Sequence, residues 1–390
     1  MLDLSRQYLL LREEILETIA QVCDSQRFIL GPQVAAFESA AAAACATSHA
    51  IGCASGTDAL WLALASAGIA TNLGAPHLEP EMWDAAPDVI TTPFSFFATA
   101  SAILRAGARP LFADIDPRTF NLSPDSVSEL LRSPAGANVK AILPVHLYGQ
   151  CADWDAFAAI QRDNPGLLLI EDAAQAFGAA WNGRPAGSLG DAAAFSFYPT
   201  KNLSAFGDAG LVTTSSAEID RRARSLRAHG MTRRYFHDEV GANSRLDTIQ
   251  AAVLSVKIRY ISQWNQQRRD RAARYDQLFR EAGLTASSTG DGIVLPYTEP
   301  RATHAFHQYV IRAPRRDSLR DHLTAHGIGS EVFYPVPLHL QAALQDLGYQ
   351  PGDFPHSERA AAEVLALPIY PELRDDEQQA VVDAIRAFYA

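Results

Sequence analysis

Leu167-Leu168-Leu169-Ile170 is an unbroken apolar run followed at once by Glu171 and Asp172. A strand without polar alternation has to be covered on both faces, which is the signature of a parallel sheet packed between helices. Comparable short runs occupy residues 88–92, 109–113 and 139–143, with helix-like segments between them, one of them spanning 98–105. From about residue 50 to 215 this β/α alternation predicts a mostly parallel sheet with helices on both faces. Ligands of such sheets bind beyond the carboxyl ends of the strands. The polar residues that directly follow the apolar runs are therefore the candidates for chemistry.

Past residue 246 the pattern changes. Residues 247–279 keep helical periodicity through Ile249, Val253, Val256, Tyr260 and Trp264, which predicts one long or kinked helix. Shorter pieces follow, a strand at Tyr309-Val310-Ile311 and helices near Leu319 and Ala360. The expected organisation is a large α/β domain over 1–255 and a smaller α/β domain over 256–390. Residues 71–87 break the pattern with Gly74, Pro76, Pro80, Trp83, Pro87 and several acids, and are expected to form a surface loop.

A net charge of -11 argues against nonspecific attraction to nucleic acid or anionic membrane. The four cysteines show no CxxC spacing and no neighbouring histidines, so buried free thiols are expected rather than disulfides or a metal site. Residues 1–8 lack the pattern of a signal peptide, and no apolar run reaches the ~18 residues of a membrane span. A cytoplasmic enzyme is expected.

Phe195-Ser196-Phe197-Tyr198-Pro199-Thr200-Lys201-Asn202 places a lysine just past an apolar run, and Gly207-Asp208-Ala209-Gly210 follows as a flexible turn. Alone, such a lysine would be read as a surface residue. Asp172 stands in the same relation to its own strand. Pyridoxal phosphate requires a lysine for its Schiff base and a carboxylate beside its pyridine nitrogen, and Lys201 and Asp172 are suitable types for these tasks. Ala54-Ser55-Gly56-Thr57-Asp58 runs from a small-residue turn into a helix. Its first amides and the Thr57 hydroxyl could hold a phosphate dianion. The plainer reading is that Ser55, Thr57 or Asp58 caps the helix. The segment lacks GxxxxGK[ST], which argues against nucleotide hydrolysis.

Taken in order, Ser55-Gly56-Thr57, Glu171-Asp172-Ala173-Ala174-Gln175, the run from Ser196 to Asn202 and Asn243-Ser244-Arg245-Leu246-Asp247 resemble the DegT-type sugar aminotransferases, of the aspartate aminotransferase (fold type I) superfamily. Pro144-Val145-His146-Leu147-Tyr148-Gly149, His307-Gln308-Tyr309-Val310 and Tyr334-Pro335-Val336-Pro337-Leu338-His339 extend the resemblance from about residue 28 to the carboxyl end. It implies that Lys201 is the Schiff-base and proton-moving residue, that Asp172 pairs with the pyridine nitrogen, and that Gln175 reaches the ring hydroxyl. Phe96 would stack on the ring, although an aromatic there is otherwise core. Gly56, Thr57 and Ser196 would hold the phosphate, and Asn243 would serve the phosphate site of a second subunit, so that a homodimer shares its active sites. Candidate contacts to sugar or amino donor are His146, Tyr148, Arg245, His307, Tyr334 and His339.

Departures from the family pattern are the longer segment at 71–87, Phe333 where a histidine often precedes the tyrosine, and Ser204-Ala205 where Gly-Ala is common. Retention of Lys201 favours transamination over the dehydratase relatives that carry histidine. Tyr198-Pro199-Thr200-Lys201-Asn202 with Gly207-Asp208-Ala209-Gly210 resembles the branch that aminates C3 of keto-sugars, whereas the C4 branch more often shows SFHxxK and TGEGG. The expected reaction moves an amino group from L-glutamate to a dTDP-linked 3-keto-6-deoxyhexose through the pyridoxamine phosphate form. A UDP-linked 3-keto-sugar and a 4-keto-sugar are the alternatives, and a non-catalytic, cofactor-binding regulator is the alternative of another class.

Overall fold

The computed structural model describes residues 2–69, 86–286 and 292–390. Most of the expected segment at 71–87 therefore lies outside the described residues. The strands β1 (His49–Cys53), β2 (Asp88–Thr91), β3 (Arg109–Phe112), β4 (Val139–Ile142) and β5 (Leu168–Asp172) are followed by a short pair, β6 (Ala180–Trp181) and β7 (Arg184–Pro185), and then by β8 (Ala192–Ser196) and β9 (Gly210–Thr214). Seven of them form one sheet in the order β1-β9-β8-β5-β4-β2-β3. The ladders from β8 to β3 are all parallel, and β9 runs antiparallel to both its neighbours.

The period-two alternation of strands divides the sheet's side chains cleanly between two cores. Ile90, Ile142, Leu169, Ala193, Phe195 and Leu211 join one apolar cluster with Phe37, Trp154 and Phe157. Their sequence neighbours Val89, Ala141, Ile170, Ala192, Ala194 and Val212 join a second, with Leu60, Leu64 and Ile103 of the helices Gly56–Ser66 and Ala98–Arg105. Both faces are thus dry, as the unbroken apolar run at 167–170 requires.

Two hairpin strands, β10 (Met231–Arg233) and β11 (Phe236–His237), precede the helix Thr248–Lys257. A 3-10 turn at Ile258–Tyr260 then leads into the helix Ile261–Glu281, so the long helical stretch is kinked. Next, β12 (Ala302–Thr303) pairs back onto β6. A third apolar cluster is built on β13 (Tyr309–Arg312) and β14 (Val364–Leu367), with Tyr275 and Phe279 of the long helix and Leu319, Val381 and Ile385 of later helices. Phe94, Phe120 and Tyr148, from loops beyond the carboxyl ends of sheet strands, belong to this third cluster. The carboxyl edge of the sheet and the third cluster are therefore in direct contact. Cys45, Cys53 and Cys151 are buried free thiols, whereas Cys23 is exposed because it lies on the outer side of the helix Leu4–Ser25. No described helix is long and apolar enough to cross a membrane, and the described residues contain no cluster suited to a metal ion.

Candidate active site

A cavity of about 840 Å³ opens at this contact. Its floor comes from the carboxyl ends of four strands. Ser55, Gly56 and Thr57 follow β1, Ser95 and Phe96 follow β2, Asp172 ends β5, and Ser196 ends β8 ahead of Lys201. Of the residues singled out in the sequence, Gly56, Thr57, Phe96, Asp172, Gln175, Ser196, Lys201, His307 and Tyr334 all line this cavity.

The helix Gly56–Ser66 starts at the cavity with Ser55 as its cap, the Ser55 side chain accepting from the Asp58 amide at 3.1 Å. Capping therefore coexists with an anion-ready terminus, because the first helical N–H groups still have no acceptor within the helix. Two glycines allow the close approach. A Cβ on Gly56 would lie 2.5 Å from the Ser196 Cβ, and one on Gly210 would lie 2.1 Å from the Ser55 carbonyl oxygen. Asp58 turns away to Arg105, at 3.0 Å, and to the Ser244 hydroxyl, at 2.9 Å.

Asp172 is buried. One carboxylate oxygen accepts the Thr99 hydroxyl at 2.7 Å and the other accepts the Ala174 amide at 3.2 Å. Since the Thr99 proton is given to Asp172, the 2.8 Å contact between Ser95 and Thr99 has Ser95 as donor. Burial raises the carboxyl's pKa above the ordinary range, against these hydrogen bonds and the nearby Lys201 charge. No cation among the described residues comes within ion-pair distance of it. Burial acts on Lys201 in the opposite sense and lowers its ammonium to about 8, with Asp172 partly opposing the shift. The loop behind it is held by Asn202, whose amide donates to Asn265 Oδ1 and to the Ala305 carbonyl, both at 2.8 Å. His307 meets the Asn202 carbonyl oxygen at 3.3 Å, so its Nδ1 carries the proton. Burial, and then the charges of Lys201 and Arg268, keep it neutral.

Gln175 accepts the Tyr148 amide at 2.6 Å and donates to the Tyr334 hydroxyl at 3.1 Å. Phe96 is 59% exposed, with its ring 6.1 Å from that of Tyr334. It is not core, and it lines the cavity.

Three candidates are placed away from the cavity. His146 is fully buried: its Nδ1 accepts the Ala152 amide at 3.1 Å and its Nε2 donates to Glu171 at 3.0 Å, so both nitrogens are engaged. Tyr148 donates its hydroxyl to the Phe333 carbonyl. His339 pairs with Glu358 at 3.1 Å against the ring of Phe354. None of the three lines this cavity, and the bonds they make run to backbone and neighbouring side chains. Asn243 is exposed and Arg245 half-buried, and neither lines this chain's own cavity.

Ser95, Thr99, Arg268 and Gln308 line the cavity and were not marked by the sequence reading. Ser95 and Thr99 carried a usable signal, two hydroxyls four residues apart at the start of a helix. Gln308 stands beside His307 in a motif that carries the resemblance, whereas Arg268 carried no signal.

Residues 10–386 match the DegT/DnrJ/EryC1/StrS aminotransferase family. The chain is 47% identical to a pleiotropic regulatory protein of Geobacillus stearothermophilus, over 100% of this chain and 98% of that one. It is 40% identical to a dTDP-3-amino-3,4,6-trideoxy-alpha-D-glucose transaminase of Streptomyces venezuelae, over 99% and 94%. Identity is 38% to a UDP-N-acetyl-3-dehydro-alpha-D-glucosamine 3-aminotransferase of Acidithiobacillus ferrooxidans, over 99% and 96%. The crystal structure of S. venezuelae DesV in complex with a ketimine intermediate superimposes with a TM-score of 0.89 at 40% identity, covering 99% of this chain and 97% of that one.

Proposed function

Because this chain belongs to the DegT/DnrJ/EryC1/StrS aminotransferase family, whose aminotransferases are pyridoxal phosphate enzymes, we propose that it moves an amino group from L-glutamate to C3 of a dTDP-linked 3-keto-6-deoxyhexose. That it is a transaminase follows from the family. The sugar, the donor and the role of each residue are our reading. The observation that supports the residue roles is the convergence of Lys201, Asp172 and the Ser55-Gly56-Thr57 turn on one cavity.

The residues present fit pyridoxal phosphate. The amide-rich turn at Gly56 and Thr57, with the Ser196 hydroxyl beside it, suits a phosphate dianion. Asp172 is a desolvated carboxylate on which Lys201 acts only through space, with no ion pair among the described residues, and a protonated pyridine nitrogen would offset that charge. When bound, the cofactor supplies an electron sink for the carbon that gains or loses the amino group. Thr99 and the Ala174 amide fix the orientation of Asp172, which would then hold a proton on the ring nitrogen. An amine near 8 leaves a sizeable unprotonated fraction at neutral pH, so Lys201 can both attack and carry a proton to and from the reacting carbon. Phe96, exposed on the cavity lining, would be available to pack against the ring. Asn243 would serve the phosphate site of the second subunit of a homodimer, and Arg245 remains a candidate contact to sugar or amino donor, although neither lines this chain's own cavity.

The C3 assignment rests on the Tyr198 to Asn202 and Gly207 to Gly210 sequences, and dTDP on similarity to the Streptomyces transaminase. A UDP-linked 3-keto-sugar is the second reading, favoured by the Acidithiobacillus relative. The test supplies L-glutamate and a panel of 3-keto and 4-keto sugars linked to dTDP or UDP, with amino-sugar product read by mass spectrometry. Product from a dTDP-linked 3-keto sugar alone is expected. Product from 4-keto sugars alone would overturn the C3 assignment, and no product with any sugar, together with no 2-oxoglutarate from glutamate, would favour a regulatory role.

The lowered Lys201 pKa also predicts how the cofactor-free protein takes up pyridoxal phosphate. The rate constant should rise with pH through about 8 and then level, since only the free amine attacks. Stopped-flow absorbance across pH 6–10 checks this, and an unperturbed amine would instead give a rise continuing toward ~10.

A further inference from the structure

The cavity holds a buried cation that the roles above leave unused. Arg268, on the helix Ile261–Glu281, is 3% exposed, and its Nη1 donates to the carbonyls of Phe306, at 3.2 Å, and Ile369, at 3.0 Å. Its Nε is buried with no partner, and no carboxylate of the described residues lies within ion-pair distance. Gln308 is 8% exposed, and its Oε1 is likewise buried and unpartnered. Both side chains line the cavity that contains Lys201. Glu331, also on the lining, has its Oε1 engaged by the Val332 amide at 3.0 Å.

A desolvated guanidinium whose hydrogen bonds go to two neutral carbonyls, with Glu372 acting on it only through space, is incompletely compensated, and a small anion is what completes it. We propose that Arg268 and Gln308 form the subsite for a carboxylate of the amino donor, Arg268 through its unpaired N–H and Gln308 through its amide NH2, which a half-turn of the amide presents. The proposal rests on the reading of L-glutamate as donor. It accounts for one cavity serving two dissimilar substrates: the dicarboxylate donor engages this pair, and the keto-sugar has no need of it. A diphosphate is a poorer occupant, since its several charges would meet a single guanidinium there.

The test uses the full-length holoenzyme and the variants Arg268→Lys and Gln308→Leu, with glutarate as an unreactive dicarboxylate probe. Both variants are expected to weaken glutarate in calorimetry by about tenfold or more. They should raise KM for L-glutamate in parallel and leave KM for the keto-sugar within about twofold. If Arg268 merely braces the two carbonyls, its variant will lose thermal stability and move both Michaelis constants together, which overturns the subsite. Gln308→Leu keeps the question answerable should Arg268→Lys fold poorly, and unchanged glutarate affinity in it overturns the pairing. Wild-type protein that uses glutamate while both variants bind glutarate normally would remove the subsite and leave the donor standing. Wild-type protein that takes no amino group from glutamate would remove both. Loss confined to a nucleotide sugar bearing a C6 carboxylate would reassign the pair to the sugar acid and overturn the donor assignment.

Discussion

Replacing Lys201 with alanine is expected to reduce amino-sugar formation by at least about four orders of magnitude, because one side chain performs both covalent attachment and proton transfer. The fold should survive. Lys201 makes no ion pair with a described carboxylate, and removing a desolvated amine relieves a cost rather than creating one. The informative measurement is therefore paired: product formation by mass spectrometry, and thermal unfolding of the cofactor-free protein. Loss of turnover with an unchanged or raised Tm supports the assigned role. Retained turnover removes Lys201 from the chemistry, and a collapsed Tm would mean that the residue is structural.

Asp172→Asn is expected to separate activity from stability in opposite directions. The amide keeps the shape: its oxygen can still accept the Ala174 amide, and its NH2 can donate to the Thr99 oxygen if the Thr99 proton turns to Ser95, but it cannot hold a proton on the pyridine nitrogen. Loss of a preorganised charge at a reacting centre costs about 10²–10³-fold in kcat. The cofactor-free variant should meanwhile be more stable, since a buried carboxylate lacking a cation has become neutral. The pH dependence has a definite sign. Burial raises the folded-state pKa of Asp172 above its unfolded value, so the folded state binds the proton more readily there and the residue's penalty grows as pH rises through the ordinary carboxylate range. The stability gain of Asp172→Asn should thus be largest at neutral pH and shrink toward pH 3–4. A variant with undiminished kcat would remove Asp172 from the cofactor site, and a Tm below wild type at pH 7 would show that the carboxylate is compensated.

How far the sequence led depended on whether a residue's partners were local. The apolar run at 167–170 required a doubly covered strand, and the division of Leu169 and Ile170 between opposite cores follows from the period of two. Gly56, Asp172 and Lys201 could be found because each follows an apolar strand directly, where the backbone alone aims them at the sheet edge. His146, Tyr148 and His339 were misplaced for the converse reason. Their motifs are as distinctive as the others, but the side chains point to Glu171, the Phe333 carbonyl and Glu358, and nothing nearby in sequence announces those partners. Glu171 is the instructive neighbour. It accepts the amides of Gly187, Leu189 and Gly190 at 2.7–2.9 Å, so the acid beside Asp172 secures a loop while Asp172 faces the cavity. Adjacent residues on a strand point to opposite sides, and that rule applied at 171 and 172 would have separated the two roles. Arg268 was out of reach, since only tertiary packing brings the middle of a long helix to the cavity wall.

The cavity wall draws on Leu2 at one end of the sequence and Ile369 at the other, with Lys201 and Arg268 between. A nascent chain must therefore be all but finished before this pocket can exist. Contacts spanning such separations form late and slowly, so capture of the cofactor should coincide with completion of folding. Uptake would then act as a quality mark, distinguishing finished molecules from stalled ones and stabilising the former by mass action.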